Sequence, residues 1–128
     1  VERLGRRSER GSILILAALA TTAVMGFAAV SVDAGRLFGI RQRLVDVCDS
    51  AALAGAQELP EDPTTAEEVA REFIERNGLD PSWAAVTVSH GATRIGVSIA
   101  RAADATFGRA LGVGSTEVAA SSIVEVGA

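Results

Sequence analysis

The chain has 128 residues, 48% of them hydrophobic and 4% aromatic, with 12 basic residues against 16 acidic ones and a net charge of −4. That balance argues against a basic nucleic-acid surface, and one Cys with one His leaves neither an internal disulfide nor a paired metal motif. The charge is uneven: residues 1–11 carry four Arg against two Glu, whereas residues 33–128 carry eight Arg against fourteen acids.

Ser12 to Val32 is free of charge for 21 residues. A helix of about 20 apolar residues, rising ~1.5 Å each, crosses a ~30 Å hydrocarbon core. Residues 12–32 therefore read as a transmembrane helix, with 1–11 as a basic leader kept in the cytoplasm. Arg36, Arg41 and Arg43 follow closely and weaken that asymmetry. A cleaved secretory signal needs a shorter apolar region, and AAVSVDAG is a poor cleavage site. Arg6-Arg7 lacks the apolar residues that follow a twin-arginine signal.

The helix is expected to continue past the membrane. Leu37, Ile40, Leu44, Val47, Ala51 and Ala54 recur at 3-4 spacing, one narrow stripe on a continuous helix. No Pro interrupts before Pro60, so the expected helix runs from Ser12 to about Leu59, with 33–59 as its extramembrane part. Small residues repeat at four-residue spacing: Ala18, Thr22 and Gly26, then Gly35 and Gly39, then Ala51 and Gly55. Such spacing allows close helix approach in lipid, and it also arises by chance in Ala-rich helices.

Residues 60–128 read as a small α+β head. PEDPTT forms a turn, Thr64 or Thr65 is placed to cap a second helix from about Thr65 to Asn77, and Glu67 and Glu68 fall in its first turn. Val69, Phe73 and Ile74 make its apolar face, and Asn77-Gly78 ends it. From Trp83 the period changes to two. Val86 and Val88 form one face, His90-Gly91-Ala92 a turn, and Ile95, Val97 and Ile99 the returning strand. Ala105 to Leu111 is expected as a short helix ending at Gly112. A last strand spans about Thr116 to Val126, with Val118, Ala120, Val124 and Val126 on one face.

At two places the sequence resembles a known family. RGSILILAALATTAVMGFAAVSVDAGRL followed by RQRLVDVCDSAALAGAQEL resembles the N-terminal module of TadE/TadG-like proteins of the Flp/Tad pilus assembly system. The matching positions are Arg10-Gly11 before the apolar helix, Asp33, Gly35 and Arg36 at its exit, and Asp49, Ala51, Ala52, Leu53, Ala54 and Ala56 beyond. TFGRALGVGSTEVAASSIVEV is similar to the tail of short family members, and the chain is too short for the von Willebrand-type domain of longer ones. The elements in order read as a pilin-like architecture: a long N-terminal transmembrane helix entering a head with a second helix and a roughly three-stranded, at least partly antiparallel sheet. Prepilin-type cleavage between Gly11 and Ser12 fits in outline, but Leu16 stands where processed members carry Glu.

Chemistry is sparse. His90 reads as an exposed turn residue and Cys48 as a small buried hydrophobe or, alternatively, an intermolecular thiol. Asp33 reads as a hydrated carboxylate at the membrane boundary, paired with Arg36 or touching a neighbouring helix. Gly112-Val113-Gly114-Ser115 lacks the strand-to-helix setting of a phosphate loop. Glu67, Glu68, Glu72 and Glu75 are a solvated helix face. The expectation is a non-enzymatic component of a Tad/Flp-like pilus, either a minor pseudopilin or an assembly protein. It would need no catalytic, metal or cofactor site. Its partners would be the membrane and other pilus subunits or copies of itself, with no nucleic acid or small-molecule substrate. It would sit in the bacterial cell envelope, single-pass in the inner membrane with the head outside, or in a surface filament. The alternatives are the repeating subunit of a filament and an exported, membrane-anchored ligand-binding module.

Overall fold

The computed structural model describes residues 2–127, and side-chain surroundings from Gly11 to Gly127. The side chains of residues 1–10, including Arg10 and the rest of the expected basic leader, lie outside that description. Helix α1 runs from Glu2 to Ala56, 55 residues, or about 80 Å at ~1.5 Å per residue. It starts earlier than expected, since no Pro or charge-free break separates the leader from the apolar run. It also ends three residues sooner. The N–H groups of Gln57, Glu58 and Leu59 close back three residues, onto Ala54, Gly55 and Ala56, at 3.3, 3.1 and 3.3 Å. These i to i−3 bonds tighten the chain into turns and end the α-helix before Pro60, which disfavours helical backbone in the residue ahead of it.

Helix α2 spans Pro63–Arg76, and its cap is Asp62 rather than Thr64 or Thr65. The Asp62 carboxylate accepts the backbone N–H of Thr65 at 3.0 Å and its hydroxyl at 2.7 Å. Pro63 occupies the first helical position, where its missing N–H costs nothing. The earlier start moves Glu67 and Glu68 out of the first turn. The buried face is Ala66, Ala70 and Ile74, while Val69 and Phe73 are half-buried. The helix is rotated towards its alanines because α1 approaches there too closely for larger side chains.

Three strands follow: β1 (Ala84–Ser89), β2 (Arg94–Asp104) and β3 (Ser115–Glu125). They form an antiparallel meander in the order β1-β2-β3. Strand β2 runs five residues beyond the expected Ile99, because it pairs with β3 along its whole length, from Arg94 opposite Glu125 to Asp104 opposite Ser115. The helix expected over Ala105–Leu111 is reduced to a single 3-10 turn at Gly108–Leu111, ended by Gly112 in the left-handed region, because Thr106 and Phe107 form a turn whose N–H groups bond to Asp33.

The inner face of the sheet lies on the upper half of α1. Leu44, Val47, Cys48, Ala51 and Ala52 from α1 meet Ile74 from α2 and Val86, Ile95, Val97, Ile99 and Val118 from the strands, all buried. Fully burying an aliphatic side chain of this size is worth roughly 1.5–3 kcal/mol, so this one cluster holds helix and sheet together. The lower half of α1 is different. Among the described residues, one helix is long and apolar enough to cross a membrane, with a best 18-residue window of mean hydropathy 2.4, none of it buried.

Candidate functional site

Where the apolar run of α1 ends, the head reaches down and grips it. The grip is made by Asp33 and the connection between β2 and β3. Asp33 Oδ1 accepts the backbone N–H of Thr106 at 2.9 Å, and Oδ2 accepts those of Phe107 and Gly108 at 2.9 and 2.8 Å. One helix turn on, Arg36 donates to the Thr106 hydroxyl. The expected Asp33–Arg36 pair is thereby replaced: both side chains point into the same loop, and the carboxylate is filled by backbone donors. Partial burial pushes the Asp33 pKa up. The N–H groups of Gly108, Phe107 and Thr106 and the Arg36 charge outweigh it, leaving the carboxyl below its ordinary value of 3.8. Gly108 is required at this grip, because a Cβ there would stand 2.8 Å from the Ala105 Cβ.

The loop that is held is apolar and open. Ala105 is buried, but Phe107, Leu111 and Val113 are exposed at 47%, 77% and 53%. Between this loop and the helix lies a groove of about 470 Å³, walled by Gly26, Ala29, Val30 and Leu37 on one side and by Phe107 and Leu111 on the other.

The small residues of α1 divide into two groups. A Cβ on Gly55 would come within 2.6 Å of both the Ala66 carbonyl oxygen and the Ile95 Cδ1. Ala51, Ala52 and Ala56 are buried beside it, so this small-residue patch serves the crossing of α1 with α2 and β2 inside the chain. Gly26, Gly35 and Gly39 have nothing within 4 Å of a would-be Cβ. Ala18 and Thr22 are exposed, and the Thr22 hydroxyl bonds the Ala18 carbonyl at 2.9 Å. Gly11 and Ser12 lie on the exposed helix surface. Of the stripe, Leu44, Val47 and Ala51 are buried, while Leu37, Ile40 and Ala54 are half-buried. Asp49 and Leu53 face outward.

Residues 11–58 match the family model described as Flp pilus-assembly TadE/G-like. This stretch is similar to TadE/G-like modules. It covers the helix from the start of its apolar run to the turn after Ala56. Neither a curated protein nor a solved structure matches the chain. Five of the family-matching positions have physical roles in this fold: Asp33 and Arg36 hold the β2–β3 loop, and Ala51, Ala52 and Ala56 allow the close helix crossing.

Three further polar residues have identifiable places in the fold. Cys48 is fully buried; its thiol lies 3.6 Å from the Ala120 carbonyl oxygen, and burial pushes its pKa up. That closes it to an intermolecular disulfide in the folded chain. His90 sits in the hairpin turn with φ of 54°, exposed, and its carbonyl accepts from Thr93. Arg43 donates to the Asn77 carbonyl oxygen at 3.1 Å and ties the end of α2 to α1. Among the described residues, no three of His, Cys, Asp and Glu are grouped to hold a metal ion. Sequence reasoning missed the partners of Asp33, Thr106 to Gly108, which lie more than 70 residues away and offer backbone rather than side-chain groups.

Proposed function

We propose that the chain is a non-enzymatic, membrane-anchored component of a Tad/Flp-like pilus, acting as a minor pseudopilin or assembly protein. Its α1 would pack laterally against helices of other subunits or of its own copies, with the N-terminus in the cytoplasm and the head outside. The observation that carries this reading is a coincidence of location. The TadE/G-like match falls on the helix, and the lower part of that helix presents an apolar surface to its surroundings, with Ile13, Leu16, Leu19, Val24 and Phe27 all exposed. Gly35 and Gly39 extend that open surface beyond the apolar run, where small residues let helix backbones approach.

The test is genetic. A strain lacking the protein should lose its pili and regain them with the wild-type gene. Gly35→Leu with Gly39→Leu should reach the membrane at wild-type levels yet restore piliation poorly. Normal piliation in the deletion strain would overturn the proposal. Fractionation distinguishes the two modes of action: an assembly protein remains in the inner membrane, whereas a filament subunit is recovered with sheared pili.

A further inference from the structure

We propose that the β2–β3 loop, residues 105–114, is a second membrane contact whose Phe107, Leu111 and Val113 enter the outer interface of the bilayer. The inference rests on the reading of residues 12–32 as the membrane span. Depth is the first argument. Asp33 fixes the loop at the end of the charge-free run, and the groove beneath it reaches Gly26, seven residues further down the helix. At ~1.5 Å per residue that is about 10 Å below Asp33, comparable to the ~5–10 Å at which interfacial apolar faces lie buried.

Continuity is the second argument. Leu111 and Val113 are exposed and line the same groove as Ala29 and Val30 of the helix, where Val30 is itself exposed. Whatever medium surrounds those helix residues also surrounds the loop, and for a membrane span that medium is lipid. The third argument is charge. Residues 105–114 contain no acid, and their single charge is Arg109, which reaches back up to Asp104 at 3.3 Å. An Arg beside apolar residues suits the headgroup region, where its stem lies in lipid and its guanidinium in the polar layer. The far end of the sheet, the 89–94 hairpin, lies ten β2 residues away from Asp104, or roughly 33 Å at ~3.3 Å per residue.

The experiment uses the full chain in Cys48→Ala background, reconstituted in phosphatidylcholine–phosphatidylglycerol vesicles, with an environment-sensitive fluorophore on Leu111→Cys, Val24→Cys or Ser89→Cys. Quenchers are lipids spin-labelled near the headgroup or deep in the acyl chain, and aqueous iodide. The 111 label should emit blue-shifted light, lose intensity most to the shallow lipid quencher and resist iodide. The 24 label should respond to the deep quencher and the 89 label to iodide alone. Adding Asp33→Asn should release the loop and shift the 111 signal towards that of 89. A 111 label quenched by iodide while 24 remains lipid-quenched would overturn the loop contact and leave the span intact. Loss of lipid quenching at 24 as well would overturn both readings. Protection at 111 without lipid quenching, lost on dilution in lipid, would assign the loop to a second copy of the chain and overturn the proposal.

Discussion

Asp33 carries the most information of any single residue. Its carboxylate satisfies three consecutive backbone N–H groups that the short 105–108 turn leaves without partners. Asp33→Asn keeps the shape but offers one acceptor oxygen instead of two. The amides of Thr106, Phe107 and Gly108 are expected to exchange with solvent faster in that variant, measured by hydrogen–deuterium exchange, while those of the β2–β3 ladder are unchanged. Unchanged exchange at all three amides would remove Asp33 from this role. The pH dependence follows from the lowered pKa. A carboxyl whose folded pKa is depressed stabilises the fold above its unfolded value and loses that contribution as pH falls through the folded one. The grip therefore holds at neutral and mildly acidic pH and loosens only below about the ordinary value of 3.8. Amide shifts of residues 106–108, followed by NMR, should titrate with a midpoint under that value. Asp62 at the start of α2 has the same sign for the same reason, since the N–H and hydroxyl of Thr65 lower its pKa.

At the scale of elements, the glycines of α1 separate internal packing from outward surface. Gly55→Ala places a methyl group where 2.6 Å is available to the Ala66 carbonyl oxygen, and overpacking of this kind costs about 1–3 kcal/mol. Gly35→Ala and Gly39→Ala meet nothing and should stabilise the helix by up to about 1 kcal/mol each through helix propensity. Urea unfolding of the detergent-solubilised chain should show the midpoint falling for the first and holding or rising for the other two. A neutral Gly55→Ala would mean that α1 and α2 cross less closely than described. Ile95, fully buried between sheet and helix, should cost about 2–5 kcal/mol on truncation to Ala. The same elements show what a sequence can reveal. The 3-4 stripe on α1 and the alternation of Val86, Ile95, Val97 and Ile99 are periodic signals, and they located the helix, the hairpin and the packing face. Asp62 was readable as a cap, since it stands directly before a Pro able to occupy the first turn. The full length of β2 was not, because Ala100, Ala102 and Ala103 have weak strand preference and are held by pairing with β3. The Asp33 grip was not readable either, since nothing periodic marks a carboxylate that binds distant backbone.

For the whole molecule, the decisive feature is that the head has no core of its own. Its sheet is covered on one face by α1 between Leu37 and Ala56. Without that helix, Val86, Ile95, Val97, Ile99 and Val118 would face water. Removing α1 strips the main apolar cover from that face, and α2 leaves only a small one, the buried Ala66, Ala70 and Ile74 with the half-buried Phe73. A fragment of residues 57–128 is therefore expected to lack a cooperative urea transition, followed by the fluorescence of Trp83. A fragment of residues 33–128, which retains the stripe and the Asp33 grip, is expected to show one. Cooperative unfolding of the shorter fragment would mean that the head is an autonomous domain carried on a passive stalk. The described packing gives the opposite mechanics. One continuous helix is both the apolar segment and the central element of the head, held to the sheet at the top by the Gly55 crossing and at the bottom by Asp33. A force or rotation applied to the lower helix is thereby delivered directly to the sheet.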